Sequence, residues 1–397
     1  MQVMTRGTET EAGRTRKILG MLVSMLLGAL AGGAGAWFFM TNLPAADLTG
    51  GEKLLIALGV LPLLPLLVAM HEVGHLLGGR LAGFRALLLL VGPLRAERHA
   101  GRIRVRLNRR VSLFGGLAVS APTDTRDLRR RTLLVIAGGP MVSLAGGAAF
   151  LGLWWALGLG SLPPEAPLAQ VYAAVALLVL GVGSLAVAAL ALMPGTSAGF
   201  YTDGARILHL LRPGPLVDRD MAVKALTGLS LSGQRPRDWD AGLVSQALAA
   251  PDASPFHVVA LQHAYAHALD SGDLAGARRH LEGALARIGT IAELARPGLL
   301  LEGAWFVAVH EHDAARARVF LDGAGPGLLV DAHQRLLAEA AVRLAEGDAA
   351  GALARAEQAR AELGRAVDAG SVALDAERIA AVSRAAAEHL RVPAAAG

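Results

Sequence analysis

The chain has 397 residues, of which 53% are hydrophobic, and it carries a formal net charge of +5 and no cysteine. That apolar content is too high for an ordinary soluble domain and points to membrane spans. The lack of cysteine excludes a disulfide framework, a thiolate nucleophile and a sulfur-ligated metal, so any metal must be held by nitrogen and oxygen. The apolar mass lies in the first half, whereas the residues beyond about Leu210 are rich in alanine and charge. One embedded and one soluble part are therefore expected.

An N-terminal segment, 1–17, ends in Arg14, Arg16 and Lys17 and leads into an apolar run over 18–40 that closes on Trp37-Phe38-Phe39. The run is too long for the core of a signal peptide, and its aromatic end suits an interfacial anchor, so a retained first span is expected. A second span is predicted over 54–77, with Pro62 and Pro65 inside it. Membrane helices tolerate proline where neighbours satisfy the freed carbonyls. The third, over 132–157, carries Gly139, Ser143 and Gly147 at four-residue spacing, a small-residue face that lets another helix approach closely. The fourth covers 171–193.

The intervening loop, 80–131, is strongly basic and holds only Glu97, Asp124 and Asp127 as acids. Beside membrane spans such a stripe indicates a cytoplasmic loop on anionic lipid and no nucleic-acid partner. Inside it, the apolar stretch Ala86–Leu94 and the alternating Gly101–Leu107 predict a hairpin turning at Arg95–Gly101, with its arginine face toward lipid headgroups. Four spans put both termini on one side. The basic segments then lie inside, and the short loops 41–51 and 158–170, which contain no Lys or Arg, lie outside.

Near the cytoplasmic end of the second span stands His71-Glu72-Val73-Gly74-His75. Positions four apart share one helix face, so both imidazoles can reach a single ion, and Glu72 beside them can take a proton from metal-activated water. Ionisable groups inside a span cost on the order of 2.5–3.5 kcal/mol each and usually serve function. The bland alternative places them just past the membrane boundary, capping the helix. A catalytic zinc site uses three protein ligands and leaves one position open. No histidine lies in a later span, but Asp203-Gly204 follows the fourth, on the same side as His75. Asp203 can supply the third ligand; taken alone, the pair also fits an ordinary turn.

With these motifs the chain resembles the site-2-protease family of intramembrane metalloproteases, peptidase family M50, over roughly residues 50–210. There, a His-Glu-x-x-His on one transmembrane helix joins an Asp-Gly near a later one to bind zinc. The matching positions are His71, Glu72 and His75, then Pro194 and Asp203-Gly204, with Gly138-Gly139-Pro140 in the intervening span. Two asparagines common in the family are replaced by Ala191 and Ser143, and the stretch from Pro194 to Asp203 is longer than its commonest form. The resemblance implies one Zn2+ per chain on His71, His75 and Asp203. It also implies Glu72 as the catalytic base and hydrolysis of a peptide bond in a membrane-anchored protein substrate. The hairpin also resembles the family's membrane-associated β-structure after the His-bearing helix; two readings stand for it, an edge that holds substrate as an added strand and a hairpin that merely seals the site.

A linker is expected over 210–245 and a cytoplasmic helical-repeat domain over 246–397. Gly272-Asp273 precedes Ala277 and Leu281, His312-Asp313 precedes Ala317 and Leu321, and Gly347-Asp348 precedes Ala352 and Ala356. The aspartates lie 40 and 35 residues apart, near a tetratricopeptide period, and each stands where a second helix would begin. Such arrays commonly bind a protein partner; an Ala-rich bundle with no ligand is the alternative. The histidines of this half, including His263, His267, His310 and His312, read as surface or packing residues.

The whole predicts a mainly α protein: a four-span membrane bundle (18–209) with a small membrane-associated β-hairpin, then a soluble tetratricopeptide-like domain. The expected activity is that of a zinc endopeptidase in the bacterial plasma membrane, with the lipid bilayer as its medium and both termini cytoplasmic. The alternatives are a non-catalytic membrane scaffold recruiting partners through the helical repeats, and, more remotely, a metal transporter or sensor.

Overall fold

The computed structural model describes residues 33, 37–38, 41–44, 46–99, 102–107, 116–197, 200–327 and 330–391. The expected N-terminal segment and most of the first span, 18–40, lie outside them. Among the described residues, three helical stretches are long and apolar enough to cross a membrane: Gly50–Leu81, Leu128–Ala156 and Leu168–Leu192. The first is broken into α1 (Gly50–Val60) and α2 (Leu63–Leu81). The break falls at Pro62, which has no N–H to continue the helical ladder. The Tyr172 hydroxyl donates to the Gly59 carbonyl next to it at 3.0 Å, a local instance of a neighbouring helix satisfying backbone freed by proline. The other two spans are α3 (Leu128–Ala156) and α4 (Leu168–Leu192). Their outer faces leave Leu54, Leu58, Met141, Trp155 and Leu190 more than half exposed, an apolar surface suited to lipid and not to water.

Glycines set how closely these helices approach. A methyl group on Gly74 of α2 would stand 2.5 Å from the Gly138 carbonyl oxygen of α3 and 2.9 Å from the Gly139 Cα. One turn on, Gly78 would likewise collide with the Leu134 carbonyl. On the far side of α3, a methyl on Gly147 would meet the Leu185 side chain at 2.7 Å and the Gly181 carbonyl of α4 at 3.0 Å. Without a hydrophobic drive inside lipid, such close backbone contact is what holds spans together.

The basic loop forms a four-stranded antiparallel sheet of order β3-β2-β1-β4, from β1 (Phe84–Val91), β2 (Leu94–His99), β3 (Arg102–Leu107) and β4 (Gly116–Pro122). The expected single hairpin turning at Arg95–Gly101 is therefore corrected. The first turn lies at Gly92-Pro93, where Gly92 takes φ +50, and Arg95–His99 is itself a strand. Its polar residues pair within and across strands: Arg95 reaches Glu97 on the same strand at 2.6 Å, and Glu97 faces Arg104 in register and lies 3.7 Å from Arg106 on β3. On β3, Ile103, Val105 and Leu107 are each about two-thirds exposed and alternate with Arg102, Arg104 and Arg106. One face is thus apolar and the other cationic, as a strand lying at a headgroup boundary would be.

After α4 come a two-stranded ribbon, β5 (Thr196–Ser197) with β6 (Phe200–Tyr201), and the short helix α5 (Asp203–Leu211). The segment expected as a linker, 210–245, is instead largely helical, with α6 (Pro215–Leu231) and α7 (Ala241–Leu248). Its proline sits at the helix start, where a missing N–H costs nothing, and Val217, Ala222, Val223 and Leu226 are buried. Antiparallel helices follow: α8 (Pro255–Asp270), α9 (Leu274–Leu285), α10 (Arg296–Phe306), α11 (Ala314–Gly323), α12 (Ala332–Ala345), α13 (Ala349–Glu362) and α14 (Val372–Arg391).

The three turns marked in the sequence share one construction. Gly272, His312 and Gly347 take positive φ. The next residues, Asp273, Asp313 and Asp348, each accept the backbone N–H three positions on, at 2.8–2.9 Å. Ala277, Ala317 and Ala352 are then fully buried where paired helices touch. At the centre of this half lies a charged cluster. His333 Nε2 is 3.0 Å from Asp375 Oδ2, and Arg378 donates to Asp375 at 3.0 Å and to Glu302 at 2.8 Å. The Arg378 guanidinium also stacks 3.6 Å from the Trp305 ring centroid. Burial alone would raise the Asp375 carboxyl, but His333 and Arg378 hold it below the usual carboxylate range.

A native carboxyl held low contributes stability above its unfolded pKa, and that contribution is lost as pH falls through the carboxylate range. Asp375→Asn leaves His333 without its anion and Arg378 with Glu302 alone. It should cost about 3–5 kcal/mol at neutral pH. Thermal unfolding of wild type and variant from pH 7 down to 3 should show the gap closing as the native carboxyl protonates.

Candidate metal centre

The His pair lies on α2 where that helix crosses α3, and the crossing fixes both rings. His75 Nδ1 is 3.0 Å from the Val135 carbonyl, to which it can only donate, so a neutral His75 presents a bare Nε2. His71 Nδ1 is 3.0 Å from the Ser143 hydroxyl, which is buried. Gly139 lies directly against both rings. A methyl group there would be 2.5 Å from His75 Cε1 and 2.9 Å from His71 Nε2. Only a glycine lets the α3 backbone pass at this height.

The third group arrives from the far end of α4. Thr202 caps α5: its hydroxyl accepts the Ala205 N–H and donates to the Met193 carbonyl at 2.6 Å, tying the helix start to the end of the span. Asp203 follows in the first helical turn and is buried. Gly204 packs against Leu192, where a side chain would overlap the carbonyl. The glycine after the aspartate is thus required for α5 to lie close enough to present Asp203.

The structure brings His71, His75 and Asp203 together. Asp203 Oδ2 is 3.1 Å from His71 Nε2 and 3.2 Å from His75 Nε2, and the two imidazole nitrogens are 3.2 Å apart. Three lone-pair atoms facing one another at this distance repel unless a cation or shared protons stand among them. Donors bound 2.0–2.1 Å from a tetrahedral ion sit about 3.3 Å from each other, so the spacing and the nitrogen/oxygen set fit zinc. Burial alone would raise the Asp203 carboxyl, yet ring protons shared with it by the imidazoles when no ion is bound, together with the Arg206 cation, hold it well below the usual range.

Glu72 is turned toward β4. A methyl group on Gly116, the first residue of that strand, would collide with its carboxylate. Among the described residues, β4 has β1 as its single strand neighbour. Arg206, one turn after Asp203, stands 3.8 Å from Asp203 Oδ1 and supplies a cation beside the two carboxylates.

Among the described residues no other group of histidines and acids is arranged to hold a metal. His263 bonds the Thr227 hydroxyl at 2.9 Å and packs on Trp239, and burial pushes it down to about 4, so it stays neutral. His267 bonds the Pro236 carbonyl, and His310 lies between Trp305 and Phe306. The sequence reading did not find Ser143 as a partner of His71, the Val135 carbonyl, the role of Gly116 or that of Arg206. The four-residue spacing of Gly139 and Ser143 was the one available signal, and it read as packing alone.

No protein-family model matches the chain, nor does any curated protein or solved structure.

Removing the hydroxyl in Ser143→Ala frees the His71 ring and should weaken zinc about tenfold, whereas Gly139→Val should abolish binding by displacing both rings. Chelator competition on the purified chain measures both. Because imidazole binds metal only when neutral, affinity should also fall as the solution is acidified.

Proposed function

We propose that this protein is a multi-pass membrane zinc endopeptidase of the site-2-protease type that cleaves a membrane-anchored protein. The observation that carries the reading is the convergence of His71 Nε2, His75 Nε2 and Asp203 Oδ2 within hydrogen-bonding distance of one another, with Glu72 beside them. A buried two-nitrogen, one-oxygen set with an adjacent carboxylate suits metal-assisted hydrolysis better than storage or transit.

When bound, the ion supplies a Lewis acid that polarises a peptide carbonyl and acidifies water. His71, His75 and Asp203 hold it. Their orientation comes from Ser143, the Val135 carbonyl and the α5 N-terminus, so little reorganisation is needed. Glu72 receives the proton of the attacking water and delivers it to the departing amine nitrogen. The apolar bundle around these groups excludes bulk water and lets each charge act at short range.

The substrate must present an extended backbone. Among the described residues, the edge of β4 away from β1 pairs with no strand; it begins at Gly116 against Glu72, and an added strand there would carry a peptide past the site. A peptide spanning the cleavage position should then inhibit, and its alternately N-methylated counterpart should not; equal inhibition would remove strand addition from the mechanism.

The alternation of basic loops with loops that lack Lys and Arg supports four spans with both termini cytoplasmic. The three repeated turns of α8–α13 support a tetratricopeptide-like module that binds a protein partner.

Glu72→Gln should keep stoichiometric zinc and lose turnover by about 10²–10⁴-fold, while Asp203→Ala should lose both zinc and turnover. Metal content and cleavage of a model single-span substrate, measured together, separate the two roles. Full zinc occupancy in Asp203→Ala would eliminate it as a ligand.

A further inference from the structure

Helix α5 carries Asp203 at one end and is pinned to the soluble half at the other. His209 Nε2 lies 2.8 Å from Asp220 Oδ2 on α6. The second oxygen of Asp220 accepts from Arg219 Nε and Nη2 at 2.8 and 2.7 Å. Arg219 in turn donates to Asp252 Oδ1 at 2.6 Å, the Ala250 carbonyl at 2.9 Å and Ser254 Oγ at 3.1 Å, all in the segment joining α7 to α8. Arg219 and Asp220 are 1% and 4% exposed. Charges buried this deeply hold their geometry, because separating them leaves an uncompensated ion.

The same end of α5 is fixed in two further ways. Leu210 packs with Ile136 of α3 and Val217 of α6, and its carbonyl accepts Arg129 Nε at 2.7 Å. Six residues separate His209 from Asp203, about 9 Å along a helix that has no proline or internal glycine beyond its own start. Next to Asp203, the Gly204 backbone rests on Leu192 and leaves no slack. A shift of the His209 end therefore tilts Asp203 against the two imidazoles.

We propose that His209 and Asp220 are positioning residues for the metal centre, so that the first helices of the soluble half set how firmly Asp203 is presented. This rests on the reading of His71, His75 and Asp203 as metal ligands. Coupling of this kind is reciprocal. Whatever displaces α6 or the α7–α8 segment weakens metal binding, and metal binding firms the attachment of the soluble half.

The test uses the full-length chain in lipid nanodiscs, with zinc affinity from chelator competition and thermal unfolding recorded side by side. His209→Ala and Asp220→Asn should each weaken zinc about tenfold, as does loss of groups that orient metal ligands elsewhere. The double variant should be no weaker than either single one, since both remove the same contact. His209→Gln, which keeps a donor for Asp220, should restore affinity. Arg235→Met provides the structural control: it breaks a buried pair with Asp270 in the same half, 2.7 Å long, that does not touch α5. It should lower the unfolding temperature and leave zinc affinity unchanged. Wild-type zinc binding with unaltered affinity in Asp220→Asn would overturn the positioning role alone, as would equal weakening by Arg235→Met. A wild-type chain that binds no zinc would overturn the metal reading beneath it. Asp220→Asn conserves volume and carries the test if His209→Ala does not fold.

Discussion

The backbone contact between α2 and α3 is the constraint on which the rest depends. Two spans can present a pair of imidazoles to one point only if the facing helix passes close enough to hold both rings and small enough to admit them. Gly74 and Gly78 on one side, with Gly138 and Gly139 on the other, bring that passage about. The same approach puts the Val135 carbonyl and the Ser143 hydroxyl 3.0 Å from the two Nδ1 atoms. Packing and chemistry are one arrangement here: a side chain added at the crossing would separate the helices and rotate the rings together. Close glycine contact and hydrogen bonds across the interface do both jobs, as they do wherever apolar burial gives helices little reason to associate.

Most of what stands near the crossing was legible in the sequence, and for a physical reason. Apolar length marked the spans, and the boundaries of α3 and α4 differ from the expected ones by a few residues at most. Helical periodicity put His71 and His75 on one face. Asp203 was reached through topology and a resemblance, not through local pattern. What was not legible is the set of partners that come from elsewhere in the chain. Ser143 looks like any small residue on a packing face until α2 is laid across it. Nothing local distinguishes the Val135 carbonyl from its neighbours. The turn at Gly92-Pro93 was hidden by an apolar stretch that runs straight across it from Ala86 to Leu94, and the polar residues of β2 looked like the loop of a hairpin.

The segment after α5 was misread for a related reason. Proline, glycine and arginine are the usual marks of a linker, and Pro213, Gly214 and Pro215 stand together there. Yet the run from Val217 to Leu226 buries one face, and its arginine is among the most deeply buried side chains of the molecule. Composition registers Arg219 as a solvent group. Only the tertiary arrangement supplies Asp220, Asp252 and Ser254 to satisfy it. A segment that reads as a loose tether is in fact a tightly paired joint, which changes how the C-terminal half must be thought of. It cannot move freely with respect to α5.

The length of the chain between Pro194 and Asp203 bears on the same joint. A longer connection after α4 would ordinarily let the following residue wander, and a carboxylate that meets two imidazoles cannot tolerate that. Here the extra residues do not lengthen the path. They fold back as the β5–β6 ribbon, with Thr196 opposite Tyr201. The ribbon is closed at its base, where the Thr202 N–H donates to the Gly195 carbonyl at 3.0 Å and the Thr202 hydroxyl donates to the Met193 carbonyl at 2.6 Å. Thr202 is thus held against the last turn of α4 as though the ribbon were absent, and Asp203 follows it directly. Spacing in sequence is therefore a poor guide to ligand position at this point. What must be kept is the closure: a polar side chain at 202 to cap α5 and reach back to Met193, and a glycine at 204 to let the helix lie on Leu192.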